Sequence, residues 1–416
     1  GYKNLDGELN YVPNDQYYVS NRKIYPYLSS MFEVNNMKYV PVSPAERTCD
    51  LLDCIYDSLG SVVEIEETVS YKGIPMTVQS VGAQTFYGLK NIKEVYVSSS
   101  VQESAFAYCD SLTKVTFGDN AKIIGASAFE GCSSLSDVKI GTNVRSIEDN
   151  AFKDCSYLNN IEIADSVENI GVSAFSGCSS LSAIAIPQAT ETIKSGAFSG
   201  CSSLRNIIIE DRASKLTFGG KNVFDGCPLD SVYIGGKING TPFSVNKSLR
   251  SVAFANNVDS IYAEEFYGCS NLKNVAMGDA VSSIGYQAFS GCSSLESFTF
   301  ASAMKTIGGK AFSGCTSMTS LISLATTPPI CGNLALDDID KWSCVLKVPE
   351  SSISAYQAAD GWKEFFFIES LPTAITEITE DGNHCNGTNV YTIGGMKVTN
   401  TKKFENGINI VVQQKT

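Results

Sequence analysis

Between residues 86 and 318 the apolar positions follow one recurring order. Phenylalanine, usually preceded by alanine, is followed three residues later by cysteine, three later again by leucine, and then by two apolar residues spaced two apart. The unit reads Ala128-Phe129, Cys132, Leu135, Val138-x-Ile140, and returns as Ala151-Phe152, Cys155, Leu158, Ile161-x-Ile163. Eleven units begin at Phe86, Phe106, Phe129, Phe152, Phe175, Phe198, Phe224, Phe243, Phe266, Phe289 and Phe312, and seven of their ten steps are 23 residues long. The step from Phe198 is 26 residues and the next is 19, which marks residues 204–245 as irregular.

An apolar pair spaced by two is the signature of a strand with one buried face. A second pair, as in Val144-x-x-Ile147 and Val281-x-x-Ile284, precedes each phrase, and Gly and Ser between them supply turns. One strand and one Phe-bearing turn cannot bury their apolar face alone, whereas stacked copies can. The expected fold is an α/β-type repeat solenoid of about 11 turns of ~23 residues. The expected parts are a β-rich N-terminal cap over 1–74, the solenoid over 75–325, its C-terminal cap over 326–370 and a small β-module over 371–416.

The run Val281-Ser282-Ser283-Ile284-Gly285-Tyr286-Gln287-Ala288-Phe289-Ser290-Gly291-Cys292-Ser293-Ser294-Leu295 resembles the leucine-rich repeat of the BspA-like family, the TpLRR class. The likeness covers about residues 75 to 325. It implies a right-handed leucine-rich repeat coil, a secreted or surface-exposed protein of anaerobic gut or oral bacteria, a role in adhesion or ligand binding, and no enzyme.

Composition narrows the function classes. The chain has 416 residues, a formal net charge of -13 and a pI near 4.7, which disfavours nucleic acid and anionic membrane as partners. No apolar run approaches the ~18 residues of a membrane span. The single histidine, His384, restricts Ser-His, Cys-His and multi-histidine zinc chemistry to one residue in a turn-like stretch. Paired acids such as Asp337-Asp338 read as solvated charge, and no Gly-rich phosphate loop is present. Catalytic residues, metal and cofactor are therefore expected to be none. The opening Gly1-Tyr2-Lys3 lacks a signal peptide and an initiator Met, so a processed or truncated start is expected. Attachment is left to upstream sequence, where a cysteine after an apolar leader would mean a lipid anchor.

At the ends, Thr327-Pro328-Pro329-Ile330 is expected to stop the repeat, since prolines cannot continue a hydrogen-bonded ladder. Val345–Val348 reads as a last strand and 351–359 as a short helix. Trp342 and Trp362 are expected to share a dense cap core. Val34–Val40 reads as a hairpin and Val62–Ile65 as a strand.

Nine of the fourteen cysteines (Cys109, Cys132, Cys155, Cys178, Cys201, Cys227, Cys269, Cys292 and Cys315) hold one repeat position and are expected as a buried ladder of free thiols. Stacked side chains point the same way, which is poor disulfide geometry. Cys49 with Cys54, and Cys331 with Cys344, are left as pairs that could bridge.

The residue between the two apolar strand positions must point outward. The row runs through Lys139, Glu162, Ala185, Ile208, Tyr233, Ala253 and Ala276 and turns from charged to apolar. Read functionally, it is a ligand groove for a host or bacterial surface protein or a glycan, with Tyr233 stacking on a sugar or anchoring a peptide. Read structurally, small residues merely let the sheet curve and the insertion Glu210–Lys215 folds over the row. The leading expectation is a monomeric, non-enzymatic surface binding module. The alternatives are a structural spacer displaying a terminal module and an acid-catalysed surface enzyme.

Overall fold

The computed structural model describes residues 30–371. The 371–416 module, His384, Cys385 and the Asn386-Gly387-Thr388 match therefore lie outside the described residues, apart from Leu371. Along the chain the repeat winds a parallel β-solenoid of about 13 turns. The turns beyond the eleven Phe-bearing units come from strands that lack the phrase. Val62–Ile65 pairs in parallel with Glu94–Val97 before the first repeats, and Val345–Val348 pairs in parallel with Ser320–Ser323 after the last.

Nine of the eleven turns reverse sharply around their phenylalanine because two residues adopt a left-handed backbone. One lies two before the ring (Ser127, Asn150 and Ser173, φ 53 to 58) and one two after it, commonly glycine (Gly131, Gly177 and Gly200, φ 72 to 75). Glycine adopts this conformation without steric cost. The reversal points every phenylalanine of the repeat inward, where the rings stack in a column within each unit.

Contacts divide the chain into two compact units, Gly1–Leu204 with Asn222–Cys227, and Arg205–Lys221 with Pro228–Thr416. In the first unit, the two-residue turn Asn35-Asn36, with φ 50 and 62, closes a hairpin of Phe32–Val34 and Met37–Ser43. Met37–Ser43 runs antiparallel to Thr48–Cys54, which lies parallel to Ile74–Val81. From Ile74–Val81 a parallel ladder passes through Ser100–Val101, Ile123–Ile124, Ser146–Ile147, Asn169–Ile170 and Thr192–Ile193. A second ladder joins Val62–Ile65, Glu94–Val97, Lys114–Phe117 and Asp137–Lys139. Between the ladders stack Phe86, Phe106, Phe129, Phe152, Phe175, Phe198 and Phe224, with centroids 4.7 to 5.5 Å apart.

In the second unit, Asn206–Ile209, Ser231–Ile234, Ser251–Phe254 and Asn274–Ala276 form one parallel face. Ser297–Phe300, Ser320–Ser323, Val345–Val348 and Phe367–Ser370 form another. Phe243, Phe266, Phe289 and Phe312 stack at 6.0, 5.5 and 5.4 Å. The opposite ladder is broken: Leu216–Phe218 with Ile238–Asn239 is one piece, and Ser260–Ile261 through Ile330–Cys331 is another.

Two expectations at the C-terminal end are corrected. The prolines do not stop the ladder, because Ile330–Cys331 follows them and pairs with Thr306–Ile307, Ile330 N donating to Lys305 O at 2.8 Å. Pro328 and Pro329 sit in the approach to the strand, and side chains satisfy the carbonyls there. Tyr356 donates to Ala325 O (2.9 Å), Ser352 to Thr326 O (2.8 Å) and Trp362 Nε1 to Pro329 O (2.8 Å). The short helix Ile353–Ala358 delivers Tyr356 to this core. Nor do the tryptophans share that core: Trp362 is wholly buried, whereas Trp342 is 75% exposed. The difference is one of position, since Trp362 follows the helix inward and Trp342 follows Asp340 in an outer turn.

Candidate functional site

The cysteine position of the repeat comes out internal. All nine ladder cysteines are buried, and each Sγ donates to the carbonyl of the phenylalanine one turn earlier at 3.0 to 3.4 Å. Burial pushes the thiols of Cys178, Cys269 and Cys315 up to about 12. Such groups stay protonated and serve packing, not nucleophilic or metal chemistry. Asn246 fills the tenth position and its Oδ1 instead accepts from Ser248 N and Leu249 N, both at 3.1 Å. Cys49 and Cys54 are both buried and do not bridge each other. Five steps along one strand separate them by ~16 Å, beyond the reach of a disulfide. Cys331 and Cys344 are free thiols. Among the described residues no group of His, Cys, Asp or Glu could hold a metal ion.

The outward strand position is where the two units differ. In the second, Ile208 pairs with Tyr233, Tyr233 with Ala253, and Ala253 with Ala276, all in one register and all half-buried. The residues between them in sequence, Ile207, Ile209, Val232, Ile234, Val252 and Phe254, face the core. The row therefore steps down from two large side chains to two methyl groups. Beside it, Ser231 Oγ donates to Asn206 Oδ1 at 2.7 Å.

Tyr233 is held from the insertion. Its hydroxyl donates to Asp211 Oδ1 at 2.6 Å, and burial together with this bond raises the phenol well above its ordinary range. The insertion is itself anchored: Arg212 N donates to Gly235 O at 2.9 Å, and Asn257 Nδ2 donates to Arg212 O and Gly235 O, both at 3.1 Å. Asp211 is exposed, so the ring is fixed at one end and half-open to solvent. The sequence located the insertion through its 26-residue step but not the partnership of Asp211 with Tyr233, which depends on how the extra residues turn.

In the first unit the same position carries Glu64, Tyr96, Thr116, Lys139 and Glu162. Lys139 and Glu162 are exposed and joined by a parallel backbone bridge; Ala185 is half-buried on Ala183–Ile186. Tyr96 donates to Glu94 Oε2 at 3.0 Å, and Lys114 Nζ lies 5.9 Å from its ring centroid. This face is charged, with Glu64, Lys139 and Glu162 exposed. Ile208, Tyr233, Ala253 and Ala276 form one cluster in the second unit, and Lys139, Glu162 and Ala185 belong to the first.

Stacked parallel strands, an outward row and a sequestered cysteine column define a leucine-rich repeat solenoid. The BspA type leucine rich repeat region matches residues 68–152, 122–240 and 236–330, in six copies. The chain belongs to the BspA-type leucine-rich repeat family. Among solved structures it is similar to a leucine-rich repeat protein from Bacteroides ovatus, at 23% identity over 82% of this chain and 100% of that one, TM-score 0.39. A leucine rich cell surface protein from Faecalibacterium prausnitzii is 21% identical over 83% of this chain and 95% of its own, TM-score 0.37. The T. pallidum leucine rich repeat protein TpLRR is 21% identical over 64% and 90%, TM-score 0.35. No curated protein matches the chain. Among the described residues no helix is long and apolar enough to cross a membrane.

Proposed function

We propose that the chain is a secreted or cell-surface adhesion module that binds a protein or glycan without catalysing a reaction. The observation that carries this reading is the row Ile208, Tyr233, Ala253 and Ala276, an apolar strip in strand register with its aromatic residue held by Asp211. A contiguous apolar strip half-open to solvent is stabilised by meeting a partner, and a pre-ordered tyrosine loses little entropy when it does. Family membership supports an interaction role, and the host- or bacterial-surface partner and monomeric state belong to the same proposal.

The experiment is binding of the whole chain to arrays of matrix proteins and glycans, repeated with Tyr233→Ala and Ala253→Arg. Both changes lie on the outward face, so circular dichroism should show an intact fold. A ligand lost by roughly tenfold or more in both variants supports the row as the site. A ligand bound equally by all three forms refutes it, and failure of the wild type on every array favours a spacer.

A further inference from the structure

We infer that the C-terminal turn carries a second binding site, a platform of Trp342 and Phe366 that stacks on a neutral oligosaccharide. The site is independent of the Tyr233 row. Trp342 is 75% exposed, Phe366 64% and Phe367 42%, three neighbouring aromatic side chains left in water. The Trp342 and Phe366 rings lie 5.5 Å apart at 33°, and Phe367 closes against Phe366 at 4.9 Å and 84°.

The rings are positioned by backbone, not by chance rotamers on a loose loop. Phe366 N donates to Lys341 O at 2.9 Å, fastening the two segments side by side. Trp342 N donates to Asp340 Oδ1 at 3.0 Å, and Ser343 Oγ donates to Asp340 Oδ2 at 2.7 Å, so the turn bearing the indole is set by the carboxylate before it. Lys341 is turned under the surface, 16% exposed, to its ion pairs with Glu364 and Asp337. Such preorganisation reduces the entropy lost on binding.

The chemistry selects the ligand class. Aromatic faces are electron-rich, and the axial C–H bonds on one face of a pyranose present the matching weakly positive apolar surface. Asp340, Ser343 and Glu364 lie within two residues of the rings, and beyond the bonds already described their oxygens keep lone pairs that accept from sugar hydroxyl groups. Protein interfaces deplete charge at their apolar centres, whereas this platform sits among carboxylates. Those carboxylates also repel acidic polysaccharides, which leaves neutral sugars.

The two tryptophans make the test direct, because Trp362 is wholly buried and exposed emission reports Trp342. In the full chain, acrylamide should quench one component of the fluorescence, and Trp342→Phe should remove that component. Titration with neutral gluco-, manno-, xylo- and galacto-oligosaccharides should shift the exposed component for at least one of them. For that sugar, calorimetry should show binding weakened by roughly tenfold or more in Trp342→Ala and in Phe366→Ala, and unchanged in Tyr233→Ala. The proposal is overturned if Trp342 resists acrylamide, if no oligosaccharide perturbs the emission, or if Phe366→Ala binds as the wild type does. Loss of a protein ligand in Trp342→Ala with no sugar response would also overturn it and assign the platform to a protein.

Discussion

The backbone N–H of Tyr262 is held by the carboxyl of Glu265, at 2.8 Å to Oε2. In regular turns the equivalent N–H bonds to a carbonyl one turn earlier, as Gly125 does to Val101, Gly171 to Ile147 and Gly285 to Ile261. Before Tyr262 the turn is only 19 residues long from ring to ring, and the ladder between Ile238–Asn239 and Ser260–Ile261 is interrupted. Gly240 leaves the strand with φ +101. Glu265 thus supplies the acceptor that the shortened turn does not. It occupies the place of the repeat's small alanine, and burial raises its carboxyl from 4.5 to about 8.

Stability should therefore depend on pH through Glu265. Between 4.5 and about 8 the folded chain holds a proton that the unfolded chain has released, so stability falls as pH rises through that window. Thermal melts should show Glu265→Gln, which keeps an acceptor and cannot ionise, losing less stability than wild type between pH 5 and 8.5. The difference should be about 1–4 kcal/mol. Glu265→Ala should cost about 1–3 kcal/mol at pH 5, where only the lost acceptor counts. Parallel pH profiles of wild type and Glu265→Gln would contradict the assignment.

Val245 holds the left-handed position after Phe243 that most other turns give to glycine, with φ 60. A β-branched residue is strained there. Val245 is exposed, so Val245→Gly loses little packing. Urea denaturation should show a net gain of about 1 kcal/mol after the entropy of the unfolded glycine is counted. A loss of stability would mean that Val245 packs favourably enough to outweigh its strain.

Phe152 lies 5.4 Å from both Phe129 and Phe175. Phe152→Ala removes the ring from both stacks and should cost about 3–5 kcal/mol. Because a solenoid is stabilised by nearest-neighbour interfaces, hydrogen exchange should rise first in the turns flanking residue 152, with distant turns less affected. Uniform loss of protection along the chain would contradict local coupling.

The ladder thiols should be silent in the native protein. Iodoacetamide at pH 8, followed by peptide mapping, should leave the nine ladder cysteines unlabelled until denaturant is added. Cys331, which is only half-buried, should label before them, although burial pushes its thiol up to about 12 as well. Rapid native labelling of Cys155 would mean that its thiol is not enclosed as described.

The repeat made much of this legible in advance. A 23-residue period fixes which residues are internal, because Phe129, Cys132, Leu135 and Val138 recur where one stacked turn must meet the next. The hairpin at Asn35-Asn36 and the strand Val62–Ile65 were readable from local composition. Where the period fails after Thr326, local rules misled. Pro328 and Pro329 read as an end to the ladder, yet Tyr356, Ser352 and Trp362 reach the exposed carbonyls from up to 33 residues away.

The sequence by itself determined the coil, its inward faces and the row that looks outward, since these follow from side-chain periodicity alone. Only the tertiary structure decided that Asp211 holds Tyr233, that Glu265 serves Tyr262 and that Trp342 stands in solvent while Trp362 does not. Those facts depend on where irregular segments return in space. Hydrogen bonds across 22 to 33 residues carry no signature in the local order of amino acids.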